Sequence, residues 1–148
     1  EGRVRILDFT TLRAKETVDS MLDLILEEVR TLDARRLVID SITALTLALE
    51  ERVEVRTLAS VLQRTLRRMN CTTILITETP WGSRSLGAGV EEFIADGIIL
   101  LETAYEGHAL RRRLAVLKMR GTEYEIRPYH YDIVSGKGIV VTPYPEVT

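Results

Sequence analysis

The stretch Arg36-Leu37-Val38-Ile39-Asp40-Ser41 decides the fold that this sequence predicts. An apolar run that ends in an aspartate is typical of a parallel strand that is covered on both faces, with its polar end at the carboxyl edge of the sheet. Apolar residues recur at helical spacing before and after this run, which predicts one helix on each side of the strand. The two helical stripes are Val18, Met21, Leu22, Ile25, Val29 and Leu32, and Val55, Leu58, Ala59, Leu62, Leu66 and Met69.

Two more runs extend the predicted parallel sheet. Residues 4–7 form a short apolar run near the start of the chain. Residues 72–77 form a β-branched run after the second helix, which Asn70 is predicted to end. The order strand, helix, strand, helix, strand is typical of an α/β sheet with right-handed crossovers.

The second half of the chain predicts antiparallel hairpins. Strands are expected at 97–102 and 113–119 around a turn at 105–108, and at 129–134 and 139–142 around a turn at 135–138. The predicted fold class is therefore α/β, with a mostly parallel sheet and flanking helices followed by antiparallel hairpin strands. No repeat or low-complexity linker interrupts the sequence, so residues 1–148 are predicted to form one domain or part of one.

The composition narrows the class of protein. The chain is 45% hydrophobic and 28% charged with a net charge of −2, which indicates a globular protein without the basic field that attracts nucleic acid or anionic membranes. No apolar run approaches the roughly 20 residues of a membrane span. The single cysteine, Cys71, is predicted to be buried and indicates a reducing compartment, for which we expect the cytoplasm. The many arginines and glutamates favour a thermophilic source. His108 and His130 lack partners at zinc-ligand spacing.

Asp40 is a candidate ligand of a metal–nucleotide complex. A carboxylate at the carboxyl end of a buried parallel strand can hold the water shell of Mg²⁺. The same residue can instead cap a helix that begins near Ser41 or Thr43. The motif alone favours the cap, because many strands of α/β proteins end in aspartate.

Residues 82–89 contain three glycines whose spacing superficially resembles a phosphate-binding loop. Ala88-Gly89 stands where that motif needs a lysine and a hydroxyl residue, and the acidic Glu91, Glu92 and Asp96 follow. We therefore predict a loop without a phosphate-binding role, and no other segment comes closer to the motif.

Lys118 and Arg120 are candidate anion ligands. On a regular strand they share one face, while Met119 points to the other, and Gly121 allows the backbone to turn. Such a cation pair can stabilise the charge that develops on the phosphate of a nucleotide bound by another chain. It can also protect an edge strand from aggregation, and the residue pattern alone favours this second interpretation.

In combination these motifs are more specific. Gly89-Val90-Glu91-Glu92-Phe93, the run of residues 94–101 and Lys118-Met119-Arg120-Gly121-Thr122 resemble consecutive segments of the KaiC family of ATPases. The order of the motifs also matches that family over nearly the whole chain. The resemblance implies the C-terminal part of a RecA-like P-loop NTPase core.

The resemblance also implies roles for residues near the predicted sheet edge. Asp40 would be the Walker B aspartate that holds Mg²⁺, with Ser41 beside it. Thr77 and Glu78 would lie near the γ-phosphate of ATP as sensing or relay groups.

The resemblance implies that Lys118 and Arg120 are both trans-acting fingers, which reach ATP bound by a neighbouring subunit of a ring, often a hexamer. Family members carry their Walker A loop and catalytic glutamates ahead of the part that this chain matches. Residues 1–148 are therefore expected to be a partial domain without the Walker A segment and not to hydrolyse ATP alone.

Two alternatives to this function stay open. One is a DNA-binding recombinase of RecA or RadA type, whose loop after the 72–77 strand faces DNA. Here that loop offers Trp81 and Arg84 without a basic cluster, and the negative net charge also argues against nucleic acid. The other is a signalling scaffold that binds nucleotide without hydrolysing it. Residues upstream of Glu1 would decide between an ATPase and such a scaffold. No membrane partner is expected.

Overall fold

The structure is a computed structural model that describes residues 3–9, 18–43, 52–79 and 94–144. The predicted loop beyond Thr79 and the run at 89–93 lie outside the described residues, and so do Trp81 and Arg84. The chain divides into two compact units, Glu1–Ile94 and Ala95–Thr148. The prediction of one partial domain over residues 1–148 stays a prediction.

The first unit alternates helices and parallel strands. Its elements are α1 (Val18–Thr31), β1 (Arg36–Asp40), α2 (Arg52–Arg68) and β2 (Thr72–Ile76). The two strands pair in parallel, from Arg36 opposite Thr72 to Asp40 opposite Ile76. Both predicted helices and both predicted strands are confirmed. Neither α1 nor α2 has the length and apolar character that a membrane crossing requires.

The predicted strand at residues 4–7 is wrong. The described residues 4–9 form neither a helix nor a strand. Leu7 and Phe9 pack against the core, whereas Ile6 is 86% exposed. The apolar side chains therefore anchor this segment on one side, but none of the described strands pairs with its backbone, and a strand needs such a partner.

Both helices end in the same motif, which returns the chain directly into a strand. At the end of α2 the Cys71 N–H donates to the Leu66 carbonyl and the Asn70 N–H donates to the Arg67 carbonyl, both at 3.1 Å. Asn70 has a φ of 52°, and Asp33 after α1 has a φ of 46°. These are Schellman motifs, in which aspartate and asparagine tolerate the left-handed conformation. The prediction that Asn70 ends the helix is confirmed.

The core of this unit lies between the two helices and one face of the sheet. Its buried members are Leu22, Ile25, Leu26, Val29, Ile39, Leu62, Leu66 and Cys71. Val38 and Ile74 alternate with the inward residues and are each 58% exposed. The prediction that β1 is covered on both faces is therefore wrong for the described residues, because α1 and α2 contribute to one and the same cluster.

The second unit is an antiparallel meander. Its strands β3 (Gly97–Glu106), β4 (Ala109–Met119), β5 (Pro128–Val134) and β6 (Gly138–Pro143) lie side by side in sequence order. Turns that contain glycines with positive φ join β3 to β4 and β5 to β6. Both predicted hairpins are confirmed, and the strands of the first hairpin are longer than predicted. β4 and β5 pair over three positions only, so the two hairpins diverge beyond them.

Candidate functional site

Asp40 lies at the carboxyl edge of the parallel sheet. It is the last residue of β1 and stands opposite Ile76, the last residue of β2, so both strands end at the same edge. Its side chain is exposed, and Ser41 beside it is half-buried. The Asp40–Ser41 peptide bond is cis. The structure therefore places Asp40 where the sequence predicted it.

The surroundings of Asp40 bear on the choice between a metal ligand and a helix cap. A capping carboxylate would accept a hydrogen bond from a backbone N–H two or three residues later. No side-chain hydrogen bond or ion pair of Asp40 occurs within the part of the chain that the structure describes. The exposed carboxylate lies at the sheet edge, and residues 18–43 and 52–79 show no contact of the kind that the capping interpretation requires.

The segments that follow the two strands are tied together. The Glu78 N–H donates a hydrogen bond of 3.1 Å to the Thr43 Oγ1. Thr77 is half-buried and the Glu78 side chain is exposed. The structure therefore brings Asp40, Ser41, Thr77 and Glu78 to one edge of the sheet. Sequence reasoning missed the link to Thr43, because nothing local relates two residues that are 35 positions apart.

Lys118 and Arg120 belong to the second unit, at the far end of its first hairpin. Lys118 stands opposite Ile98, and the next pair is Val116 with Ile99, so that Leu117 is an extra residue in a bulge. β4 ends at Met119, which places Arg120 in the turn. The predicted shared face assumed a regular strand, and the strand stops one residue before Arg120.

Arg120 is bound to Asp96 at both its backbone and its side chain. The Arg120 N–H donates to the Asp96 carbonyl at 2.7 Å, and the guanidinium Nη1 donates to the Asp96 Oδ1 at 3.1 Å. Sequence reasoning placed Asp96 only among acidic residues that repel phosphate. The hairpin register would have revealed the pair. Gly97 stands opposite Met119, and the next residue outward on each side is Asp96 or Arg120.

The three consecutive arginines of β4 have different surroundings. Arg113 forms an ion pair of 2.8 Å with Glu102, which stands directly opposite on β3. Arg112 lies 3.8 Å from Asp132, and Arg111 is exposed. Arg111 and Arg112 are thus exposed on the hairpin. Arg113 differs, because its side chain is 30% exposed and lies in a polar network.

Tyr144 is the centre of that network. Its ring stacks on His130, with ring centroids 4.4 Å apart, and its hydroxyl donates to Glu106. The hydrogen bond to Glu106 is the main cause that raises the pKa of Tyr144, with partial desolvation adding to it. For Arg113, desolvation lowers the pKa, but hydrogen bonding to Tyr144 and the charge of Glu102 outweigh it and raise the pKa overall.

The metal-binding capacity of the described residues is limited. Over the described ranges no group of three or more histidines, cysteines, aspartates and glutamates is arranged to hold an ion. Asp40, at the carboxyl edge of the sheet, could contribute one carboxylate ligand. This arrangement suits Mg²⁺, which keeps several waters and binds through one or two carboxylates together with the phosphate oxygens of a substrate.

Comparison with known proteins assigns the family. The family model described as the KaiC ATPase matches residues 1–146. The chain belongs to the KaiC family of ATPases. The predicted resemblance is confirmed, and the match supports the KaiC interpretation against the recombinase alternative.

Relatives of this KaiC-family chain are found among archaea and cyanobacteria. A UPF0273 protein of Pyrococcus horikoshii is 33% identical over 126 residues, which are 85% of this chain and 50% of that protein. The circadian clock oscillator protein KaiC of Nostoc sp. is 31% identical over an alignment of 150 positions that covers 97% of this chain and 29% of that protein. The chain spans about half the length of the UPF0273 proteins that it matches.

A solved structure agrees with the fold. The crystal structure of a KaiC-like protein from Pyrococcus horikoshii superimposes with a TM-score of 0.77 at 39% identity. The superposition covers 96% of this chain and 61% of that protein. The predicted α/β fold of RecA type, with a parallel part followed by antiparallel strands, is therefore confirmed.

Proposed function

We propose that this KaiC-family chain supplies the Walker B side of an ATP site. The observation that carries the proposal is the position of Asp40, an exposed carboxylate on the last residue of β1 at the carboxyl edge of a parallel sheet. In α/β folds, ligands bind outside the carboxyl ends of the strands. The absence of a capping contact within the described residues supports a ligand role for Asp40 over a structural one.

Asp40 would hold the water shell of Mg²⁺, with the hydroxyl of Ser41 beside it. The ion, when bound, neutralises charge on the phosphate oxygens of ATP. A single carboxylate is sufficient for this mode of binding, because waters and phosphate oxygens provide the remaining ligands.

Thr77 and Glu78 would sense or relay the state of the γ-phosphate. Both directly follow β2, next to the strand that ends in Asp40. The hydrogen bond from the Glu78 N–H to Thr43 holds this segment against the one that follows Asp40. A change at one segment would thereby reach the other through a direct contact.

Lys118 and Arg120 would act on ATP held by a neighbouring copy. The Arg120 side chain is 45% exposed at the end of its hairpin, so a partner can reach it. This assignment requires self-association into a ring, for which we propose a hexamer. The phosphate-binding loop and the general base would come from outside these residues, so that the chain alone would not turn over ATP.

Substitution of Asp40 in a full-length protein that carries this chain tests the proposal. We expect Asp40→Asn to lower Mg²⁺-dependent ATP hydrolysis by at least about 10²-fold, because the amide removes the charge that holds the hydrated ion. The matched control is Asp33→Asn, an exposed aspartate of the same unit that pairs with Arg35 at 3.2 Å. Its left-handed backbone also accepts asparagine.

The outcomes separate the proposed function from the alternatives. Unchanged turnover and Mg²⁺ dependence in Asp40→Asn would overturn the Walker B assignment. Nucleotide binding without hydrolysis in the unsubstituted protein would indicate the signalling scaffold. Binding of labelled single-stranded DNA that weakens steeply with salt would indicate a recombinase.

A further inference from the structure

Asp96 and Arg120 contact each other at the end of the first hairpin that lies opposite its turn. Asp96 directly precedes β3 and Arg120 directly follows β4, one residue beyond the last cross-strand pair, Gly97 with Met119. The backbone hydrogen bond between them measures 2.7 Å and the ion pair 3.1 Å. One acidic residue thus binds both the main chain and the guanidinium of one arginine.

The two contacts restrain different degrees of freedom. The backbone bond fixes where β4 ends and where the turn at Gly121 begins, and Gly121 has a φ of 73°. The carboxylate restrains the long arginine side chain, which has many rotatable bonds. The position of the guanidinium is therefore defined relative to the sheet.

The exposure of the pair indicates what the contact does. The side chains of Arg120 and Asp96 are 45% and 52% exposed. Ion pairs at such exposure contribute little to the stability of a fold, because water screens the charges and the side chains lose entropy. This contact therefore orients the arginine more than it stabilises the hairpin.

We propose that Asp96 is the positioning residue for Arg120. Its carboxylate holds the guanidinium at the exposed end of the hairpin, in the orientation in which Arg120 meets the triphosphate of a neighbouring subunit. The guanidinium has five N–H donors, of which Nη1 contacts the Asp96 Oδ1, and the Arg120 side chain is 45% exposed. The inference rests on the proposed role of Arg120.

The expected effect is on turnover and not on nucleotide binding. A misplacement of about 1 Å in a catalytic group can lower a rate about 10²-fold. We therefore expect Asp96→Ala to lower the kcat of ATP hydrolysis by about 10- to 100-fold, with the KM for ATP changed less than about twofold. Asp96→Asn keeps an oxygen acceptor at the same position, and its loss of kcat is expected to be smaller.

A double-mutant cycle in the full-length protein tests the inference. The four proteins are the unsubstituted one, Asp96→Ala, Arg120→Ala and the double variant. If Asp96 acts through Arg120, the double variant has the kcat of Arg120→Ala, with no further loss. The control is Asp132→Ala, which removes an exposed carboxylate near Arg112 on the same sheet, and its kcat is expected to stay unchanged.

The cycle distinguishes failure of the inference from failure of the proposed function. An Arg120→Ala variant with unchanged turnover would contradict the proposed function. If Arg120→Ala is impaired but Asp96→Ala is not, or if the two losses multiply in the double variant, Asp96 does not position Arg120. A raised kcat in Asp96→Ala would also overturn the inference, since the carboxylate would then restrain the arginine from acting. If thermal melting shows that Asp96→Ala is not folded, the same comparison is made with Asp96→Asn.

Discussion

The Glu78 N–H donates a hydrogen bond to the Thr43 Oγ1 at 3.1 Å, which joins the segment after β2 to the segment after β1. The two residues are 35 positions apart, yet both lie within three residues of the carboxyl end of their strand. In the proposed ATP site this bond connects the Asp40 side of the edge to the Thr77 and Glu78 side.

Replacement of Thr43 tests the importance of this bond. Thr43→Val removes the oxygen acceptor and leaves the Glu78 N–H without it, which we expect to lower the free energy of unfolding by about 0.5–1.5 kcal/mol. ATP turnover in the full-length protein should fall by more than this loss of stability explains, because Thr43 no longer holds the segment that contains Glu78. Thr43→Ser keeps the hydroxyl and should retain both properties. Equal behaviour of the two variants would show that the bond has no such role.

Replacement of Arg120 tests its proposed action in trans. Arg120→Ala in the full-length protein should lower ATP hydrolysis by about 10²-fold or more while ATP binding is spared, because arginines that contact the transferred phosphate act mainly in the transition state. The control is Arg127→Ala, which removes an exposed arginine that pairs with Glu125 at 2.9 Å. Steady-state kinetics and calorimetric titration with ATP measure the two effects. A parallel loss of ATP binding would assign Arg120 to ground-state binding instead.

Two adjacent residues of α2 test the position of the core. Leu62 is 1% exposed in the core cluster that also contains residues of α1 and β1, whereas its neighbour Val61 is 51% exposed. We expect Leu62→Ala to lower the free energy of unfolding by about 2–5 kcal/mol through the cavity that it leaves. Val61→Ala should change it by less than about 1 kcal/mol. Urea denaturation measures both, and similar losses would contradict the orientation of this helix.

The raised pKa of Tyr144 predicts a dependence on alkaline pH. The hydroxyl donates to Glu106, so the neutral phenol is favoured in the folded state over the unfolded one. A raised pKa stabilises the fold below the ordinary tyrosine value of about 10, and this contribution is lost as the pH rises through the folded pKa.

Spectroscopic titration measures this effect. Tyrosinate absorbance of the folded chain should contain one component with a raised pKa, and Tyr144→Phe should remove it. The alkaline loss of stability should also be smaller in Tyr144→Phe than in the unsubstituted protein. Identical titration curves, after allowance for one tyrosine fewer, would show that Glu106 does not hold this hydroxyl.

The predictions that succeeded rest on short-range physics. The helical spacing of Leu22, Ile25 and Val29 and the alternation within the hairpin strands reflect how side chains project from a local backbone, which a sequence displays directly. The predicted strand at residues 4–7 is wrong because it rested on local apolarity alone. Local apolarity does not show whether a partner strand lies beside the segment. The exposed Val38 shows this again, since coverage of a second face depends on elements distant in sequence.

The amino-acid sequence by itself determined the order and type of the elements, the family and the strand end that carries Asp40. These features follow from local periodicity and from motifs that lie within a few consecutive residues. Only the tertiary structure decided that Asp96 binds Arg120 and that Thr43 binds Glu78. Both contacts depend on strand register, and a shift of one residue would separate the partners without any change in the local pattern.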